Sequence, residues 1–290
     1  DQVVSKFLEQ SADNGIEIFR TFDALNDFNN IEFTIKEIKR IGKHAQGTIA
    51  YTTSPVHNLN TWLELAKKIE DAGADSLAIK DMAGLLRPFD AYNLVKNLKE
   101  TIEIPVHMQT HATTGMSAAT NMKAIEAGID NIDTSISSLS MTYGHSATET
   151  MLAIFEDQDR EIILDLEALE EVSKFFRNIR KKYSEFEGGL KGVDSSMLVK
   201  QVPGGMLSNL ESQLRANKQE DKIDLVKDEI PKVRKDFGYP PLVTPASQIV
   251  GAQALLNVMS ANRYENLSNE SINLITGKYG ELPGKISPEL

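Results

Sequence analysis

Lys80 is the first residue whose type and position suggest chemistry. It ends an apolar run in the segment LAIKDMAG, where a charged ammonium group is costly. Desolvation lowers the pKa of such an amine, and a neutral amine can act as a base, form a Schiff base or capture carbon dioxide as a carbamate. An ion pair with Asp81 or with another carboxylate explains the same position equally well.

A second set of candidate residues follows in the segment VHMQTH. Because side chains alternate along a strand, His107, Gln109 and His111 are expected on one face. The two histidines are about 13 Å apart along an extended strand, so only neighbouring positions on that face can share one metal ion. The residues alone leave a metal site and a hydrogen-bonded core arrangement equally open.

The segment QVPGGMLSNL is the third candidate, and it joins a Pro-Gly-Gly turn to a helical pattern. The two glycines would let backbone amides and Ser208 approach a ligand at a helix N-terminus. The pattern alone favours a plain helix start with Ser208 in its first turn. Two other polar clusters, Arg20 with Asp23 and the segment 135–146, are predicted to make loop hydrogen bonds, although the first could be a buried pair.

These candidates lie in a chain with a regular rhythm. Apolar or β-branched runs begin about every 30 residues, near Ile16, Ala45, Ser76, Ile104 and Asn131. Amphipathic helical patterns lie between the runs, and this alternation is typical of a parallel sheet. Polar residues at the carboxyl ends of apolar strands favour a (β/α)₈ barrel. An open doubly wound sheet is less favoured, because no strand is followed by a phosphate-binding glycine-rich turn.

The number of repeats falls short of a closed barrel. Five strands are predicted, at about 16–22, 46–52, 76–81, 104–110 and 131–136. A barrel needs eight, and three more units would take about 90 residues at this spacing. Because residue 1 already lies within a helical pattern, we expect an N-terminally incomplete (β/α)₈ TIM barrel that lacks three upstream units.

The rhythm changes after about residue 164, where helical patterns replace the strands. They cover residues 166–183, 206–214, 223–237 and 247–259. We therefore predict a partial barrel at residues 1–164 and a helical C-terminal subdomain at residues 165–290 that caps it. The polar tail from Asn266 onward is predicted to be peripheral.

Composition excludes several classes of function. Of the 290 residues, 41% are hydrophobic, which excludes wholesale disorder. The 42 acidic residues outnumber the 31 basic ones, and the formal net charge of −11 argues against nucleic acid and anionic lipid as partners. There is no cysteine, no signal-peptide pattern and no apolar run long enough for a transmembrane helix. We therefore expect a soluble, cytoplasmic protein.

Seven segments together resemble one protein family across nearly the whole chain. They are IFRTFDALND, HAQGTIAYTTSPVH, GADSLAIKDMAGLL, HATTGMSAATNMKAIEAGID, DTSISSLSMTYGHSATE, LKGVDSSMLVKQVPGGMLSNLESQL and GYPPLVTPASQIVG. The chain is similar to the carboxyltransferase domain of biotin-dependent enzymes. These include the oxaloacetate decarboxylase alpha subunit, the transcarboxylase carboxyltransferase subunit and the corresponding subunit of pyruvate carboxylase. Many motifs in one order make this resemblance specific.

The resemblance implies a (β/α)₈ barrel with a helical C-terminal funnel that transfers a carboxyl group between biotin and pyruvate or oxaloacetate. It implies a divalent metal, with zinc first and manganese or cobalt as alternatives. Lys80 matches a carbamylated lysine ligand, and the histidine ligands of the family fall on Gln109 and His111. Ser208 matches a Thr or Ser that is taken to shuttle a proton between biotin and the pyruvate methyl group. A separate carrier domain or subunit would supply biotin, and a homo-oligomer, a dimer, is expected.

The sequence departs from the family at two points. Gln109 stands where the family has His, and its amide oxygen is a weaker ligand than imidazole. The Arg-Asp-Ala-His-Gln segment of the family, with an aspartate ligand and pyruvate anchors, does not occur in these residues. A truncated or degenerate barrel that serves in binding or assembly is therefore the alternative to an enzyme. A metal-dependent aldolase or lyase barrel would explain Lys80 and His111, but not the segment KQVPGGMLSNL.

Overall fold

The computed structural model describes residues 2–156, 163–187, 189–216 and 218–290, apart from the side chains of residues 204, 205, 207 and 208. Within this description, five strands form one sheet: β1 (Ile18–Thr21), β2 (His44–Ala50), β3 (Ser76–Asp81), β4 (Val106–Thr110) and β5 (Asn131–Ile132). Their order in the sheet is their order in the chain, and all neighbours are parallel. The predicted parallel sheet is confirmed.

Helices alternate with the strands and then make up the second half of the chain. They are α1 (Gln2–Asp13), α2 (Phe28–Arg40), α3 (Leu59–Asp71), α4 (Pro88–Thr101), α5 (Ser117–Glu126), α6 (Thr148–Phe155), α7 (Leu166–Lys182), α8 (Ser196–Lys200), α9 (Gly204–Ala216), α10 (Ile223–Asp236), α11 (Ala246–Met259) and α12 (Asn269–Ile275). The four predicted helical patterns of the second half are confirmed as α7, α9, α10 and α11. Across the described ranges, no helix has the length and apolarity needed to cross a membrane.

The first hydrophobic core lies between the sheet and helices α2 to α5. Alternation along β4 divides its side chains: Val106 and Met108 are fully buried in this core, and His107 and Gln109 face the inner side of the sheet. Helix α3 packs directly on β2 at Gly47, where an added Cβ would collide with the Ile69 side chain. The middle of the outer face is therefore apolar, and His107 and Gln109 point away from it to the inner face.

A second core joins the helical half to the carboxyl ends of the strands. Helices α9, α10 and α11 supply most of it, through residues such as Met206, Ile230 and Val250. Leu25 and Leu85, from the loops that follow β1 and β3, belong to the same core. The helical half consequently covers the end of the sheet where the candidate residues lie.

Two predictions about the elements need correction. Strand β5 has two residues rather than the six predicted at 131–136, because past Ile132 the chain leaves the ladder and only an isolated bridge at Ser135 follows. The tail is not peripheral: α12 buries Leu274, and the Glu281 amide donates to Asp27 Oδ2 at 2.8 Å. The division at residues 164 and 165 stays a prediction.

Candidate active site

Lys80 lies at the C-terminal end of β3, in register with Gln109 on β4. Its Nζ donates to Gln109 Oε1 at 3.0 Å and lies 5.3 Å from the centre of the Phe22 ring. Burial, followed by the positive charge of Arg20, lowers the pKa of Lys80. Within the described residues no carboxylate forms an ion pair with Lys80, so this amine is held by a neutral partner.

Asp81 is not the partner of Lys80, because alternation along β3 places it on the opposite face. Its carboxylate is fully buried and accepts from the Leu85 amide at 2.8 Å, the Leu86 amide at 3.0 Å and Thr110 Oγ1 at 2.8 Å. Burial raises the pKa of Asp81 to about 6 in spite of these donors. Its role is to fold the turn that follows β3.

Arg20 crosses the inner face of the sheet to reach Asp133, although β1 and β5 are its two edge strands. Arg20 Nη1 donates to Asp133 Oδ2 at 2.6 Å, and Arg20 Nε donates to Gln46 Oε1 at 2.5 Å. His107 Nε2 donates to Asp133 Oδ1 at 2.5 Å. Burial raises the pKa of Asp133, but the hydrogen bonds from His107 and Arg20 outweigh it and hold this pKa well below its usual range. The sheet is therefore curved, with edge side chains that meet inside.

This network corrects the possible pairing of Arg20 with Asp23. Asp23 instead accepts hydrogen bonds from the Leu25 and Asp27 amides, at 2.8 and 3.0 Å. For Asp23, this is the loop hydrogen bonding that the sequence predicted. Only Arg20 is part of the polar interior.

His111 lies just past the end of β4, at the edge of the inner face. Its Nδ1–H donates to the Tyr143 carbonyl at 2.7 Å, and the neighbouring Ala112 amide donates to the Gly144 carbonyl at 2.8 Å. Burial, aided by the nearby His145 and Lys80, lowers the pKa of His111 to about 4. The imidazole is therefore neutral at pH 7, and its Nε2 carries a lone pair.

A cavity of about 300 Å³ opens between His111 and the helical half. The sheet side contributes His111 and Tyr143, and the helical side contributes Met206, Asn209 and Ser247. Ser208 stands in α9 between two of these lining residues. The Ser208 side chain lies outside the described residues, so its predicted role stays a prediction.

The structure brings part of the predicted metal set together. Lys80 and Gln109 are hydrogen-bonded, and His111 follows two residues later on the same strand end. Over the described residues, no group of three or more His, Asp or Glu side chains could hold a metal ion. His107 is engaged with Asp133 and does not join the set.

Sequence reasoning missed two residues of this site. Asp133 lies within the strand predicted at 131–136, and a carboxylate there could have indicated an inward-facing side chain. His145 lies in the loop 135–146, for which only hydrogen bonding was predicted, yet its ring centre is 4.6 Å from that of His111. Burial, with lesser contributions from Lys80 and Arg20, lowers the pKa of His145.

Comparisons with known protein families cover both halves of the chain. Residues 17–176 match the HMGL-like family model, and residues 197–290 match the model of a conserved carboxylase domain. Both matched regions contribute to the cavity, since its lining residue His111 lies in the first and Met206 lies in the second.

Two curated relatives and one solved structure illustrate the similarity. A pyruvate carboxylase subunit of Methanocaldococcus jannaschii is 48% identical over 100% of this chain and 51% of its own length. The methylmalonyl-CoA carboxyltransferase 5S subunit of Propionibacterium freudenreichii subsp. shermanii is 46% identical over 100% of this chain and 57% of its own length. The chain thus spans about half the length of these relatives.

The solved structure is the carboxyl transferase domain of Rhizobium etli pyruvate carboxylase with pyruvate. It superposes with a TM-score of 0.94 and 32% sequence identity, over 99% of this chain and 51% of that one. The predicted fold class, a TIM-barrel core of about five strands with a helical C-terminal part, is thereby confirmed.

Proposed function

This chain belongs to the HMGL-like family, and from that premise we propose that it catalyses carboxyl transfer between carboxybiotin and pyruvate or oxaloacetate. The observation that carries the proposal is a neutral imidazole, His111, that lines a cavity of about 300 Å³ between the sheet and the helical half, with the desolvated amine of Lys80 held by Gln109 on the neighbouring strand. An enolisable keto acid needs such a site, because negative charge develops on its keto oxygen when the methyl carbon reacts.

Pyruvate is the keto acid that the comparisons favour. One relative is named as a pyruvate carboxylase subunit, and the similar Rhizobium etli structure contains pyruvate.

A divalent metal fits the donor atoms that the site offers. His111 spends its Nδ1–H on the Tyr143 carbonyl, which is the usual arrangement of a ligating imidazole. Gln109 offers an amide oxygen, and Lys80 offers an amine of lowered pKa that carbon dioxide can convert to a carbamate. We propose that Lys80, Gln109 and His111 hold zinc, with manganese or cobalt as alternatives. Each of these three metals accepts nitrogen and oxygen ligands. When bound, the ion would polarise the keto oxygen.

Ser208 is the proposed proton carrier. It would move a proton between the pyruvate methyl carbon and the ureido nitrogen of biotin, as a general acid–base group. Its place in α9, the helix that also carries the cavity-lining residues Met206 and Asn209, supports this role. Biotin would arrive on a separate carrier domain or subunit, and the chain is proposed to act as a homo-oligomer, a dimer. Both relatives are named as subunits, which supports assembly with further chains.

Turnover of oxaloacetate with free biotin tests this function. We expect the purified protein, supplied with zinc or manganese, to release pyruvate, followed by coupled oxidation of NADH with lactate dehydrogenase. Ser208→Ala should lower the rate by about 10²–10⁴-fold, and Ser208→Thr should keep most of it. Ser184→Ala, at an exposed position after α7, is the matched control and should leave the rate unchanged.

The same assay addresses the alternative of a degenerate barrel that serves only in binding or assembly. That alternative predicts no biotin-dependent turnover of any keto acid by the unaltered protein. Full turnover by the Ser208→Ala variant would instead support the enzymatic function and show that Ser208 does not take part in the mechanism.

A further inference from the structure

His145 has a ring nitrogen without a partner at the mouth of the sheet. Its Nε2 is buried and makes no hydrogen bond with any residue that the structure describes. Leaving a buried polar atom unpaired costs roughly 1–3 kcal/mol. Such atoms are rare in folded proteins, and each one calls for a water, an ion or a functional explanation.

The main chain around His145 is firmly held even though the ring nitrogen is free. The loop is fixed to the β4 end by His111 Nδ1–H on the Tyr143 carbonyl at 2.7 Å and by the Ala112 amide on the Gly144 carbonyl at 2.8 Å. The His145 carbonyl also accepts from the Met141 amide at 2.7 Å. The imidazole is thus positioned by its backbone, and its Nε2 remains available for a ligand.

The two imidazoles have a separation that suits one shared ion. The ring centres of His111 and His145 are 4.6 Å apart, and the ring planes make an angle of 40°. Two imidazoles that bind one zinc ion at about 2.0–2.1 Å, in a tetrahedral arrangement, have ring centres about 5 Å apart. Gln109, by contrast, already uses its amide oxygen to accept from Lys80 Nζ at 3.0 Å.

We propose that His145 is a metal ligand beside His111 and supplies the second imidazole that position 109 lacks. This inference rests on the proposed function in one respect, since it requires that a divalent metal binds at the mouth of the sheet. His145 then takes the ligand position proposed above for Gln109, and Gln109 instead orients the Lys80 amine through its hydrogen bond at 3.0 Å. Lys80 and His111 keep the roles proposed above.

Cobalt binding to the purified full-length protein tests the proposal without an activity assay. Metal is removed with a chelator, and Co²⁺ is titrated while its visible d–d absorption is recorded. We expect His145→Ala and His145→Gln to weaken Co²⁺ binding by at least about 10-fold, since even groups that only support a ligand contribute 10–100-fold. Gln109→Ala should bind Co²⁺ nearly as well as the unaltered protein, and the absorption spectrum should change only in the His145 variants.

His57→Ala is the matched control. The His57 ring stacks on Trp62 with centres 5.1 Å apart, and its Nδ1 lies 2.7 Å from Ser54 Oγ, so this histidine has other partners. Circular dichroism melting of each variant separates loss of a ligand from loss of folding, and His145→Gln retains a polar side chain if His145→Ala does not fold.

Each outcome decides between the two proposals. Unchanged affinity and spectrum in the folded His145 variants would overturn the role of His145 and leave the proposed function intact. A large loss of Co²⁺ affinity in Gln109→Ala, with the affinity of His145→Gln unchanged, would show that the second ligand is Gln109 and not His145. If the unaltered protein binds no Co²⁺ at all, the metal-assisted function and the role of His145 both fail.

Discussion

Buried ionisable groups are partnered very differently in the helical half and at the mouth of the sheet. In the helical half, Arg234 is 6% exposed and donates to the Pro240 carbonyl, Thr52 Oγ1, the Thr53 carbonyl and Gln201 Oε1. At the mouth, Lys80 has one amide partner and His145 Nε2 has none among the described residues. An ionisable side chain whose hydrogen bonds are made within the chain supports the structure. An ionisable side chain with an unpaired donor or acceptor can bind a ligand.

Glu229 shows the same saturation in the helical half. Its Oε1 accepts from Arg263 Nε at 2.7 Å and from Asn257 Nδ2 at 3.0 Å, and its Oε2 accepts from Lys232 Nζ at 3.2 Å. Although burial raises the pKa of Glu229, the Asn257 and Arg263 hydrogen bonds outweigh it, and the pKa is lowered overall. Folding therefore favours the ionised form, which a structural carboxylate requires.

Arg234 joins three parts of the molecule. It belongs to α10, its acceptors Thr52 and Thr53 follow β2, and Gln201 directly precedes the turn that leads into α9. Burial lowers the pKa of Arg234 to about 10, so the guanidinium stays charged at pH 7. This side chain therefore links the helical half to the carboxyl end of the sheet by hydrogen bonds, in addition to the second hydrophobic core.

The largest effect on stability is expected for Arg234→Met. The substitution removes the donors of at least four acceptors, two of them side-chain oxygens, that burial separates from water. We expect a loss of about 3–5 kcal/mol in the free energy of unfolding, measured from the urea midpoint at constant m value. Arg215→Met, at an exposed position of α9, should change it by less than about 0.5 kcal/mol. Equal urea midpoints for the two variants would show that the hydrogen bonds of Arg234 do not stabilise the fold, and the contrast between the helical half and the mouth of the sheet would fail.

A smaller loss in the free energy of unfolding, which depends on pH, is expected for Asp133→Asn. The folded-state pKa of Asp133 lies below its unfolded value of about 3.9, so its stabilisation is fully present above that value and is lost as the pH falls further. The variant should lose about 1–3 kcal/mol at pH 7, because Arg20 and His107 lose an ionised acceptor.

The pH dependence of unfolding then distinguishes this loss from a general one. Urea unfolding at pH 7, 5 and 3.5 should show the gap between the unaltered protein and Asp133→Asn narrowing at the lowest pH. Asp224→Asn is the control, since that side chain is 83% exposed, and it should follow the unaltered protein throughout. A gap of constant size would mean that Asp133 stabilises through shape and not through charge.

Periodicity made the elements predictable, because it reflects burial on one face. Ile31, Ile35 and Ile38 are each at most 1% exposed on α2, and the left-handed glycine that follows this helix is Gly42, with a φ of 71°. The exact extent of β5 was not predictable in this way. Where the ladder stops depends on hydrogen bonds with a neighbouring strand, which a single segment does not encode.

The site was predictable where it follows strand alternation and unpredictable where it depends on curvature or loops. Alternation placed Gln109 on the inner face, and the register of β3 with β4 then set it beside Lys80. The pairing of Arg20 with Asp133 spans 113 positions and requires two edge strands to meet through curvature of the sheet. His145 is positioned by backbone hydrogen bonds of a loop, for which the sequence carries no periodic signal.

The smallest effect on stability, with the largest on chemistry, is expected for Lys80→Met. Because burial lowers the pKa of Lys80, folding disfavours its charged form, and the unaltered protein should gain stability as the pH rises towards the unfolded value of about 10.4. Replacing the amine with an apolar side chain of similar length removes that cost, so the free energy of unfolding at pH 7 should stay within about 1 kcal/mol or increase. Biotin-dependent oxaloacetate turnover should be lost in the same preparation. A loss of stability as large as that of Arg234→Met would show that Lys80 is a structural charge and that the two regions do not differ.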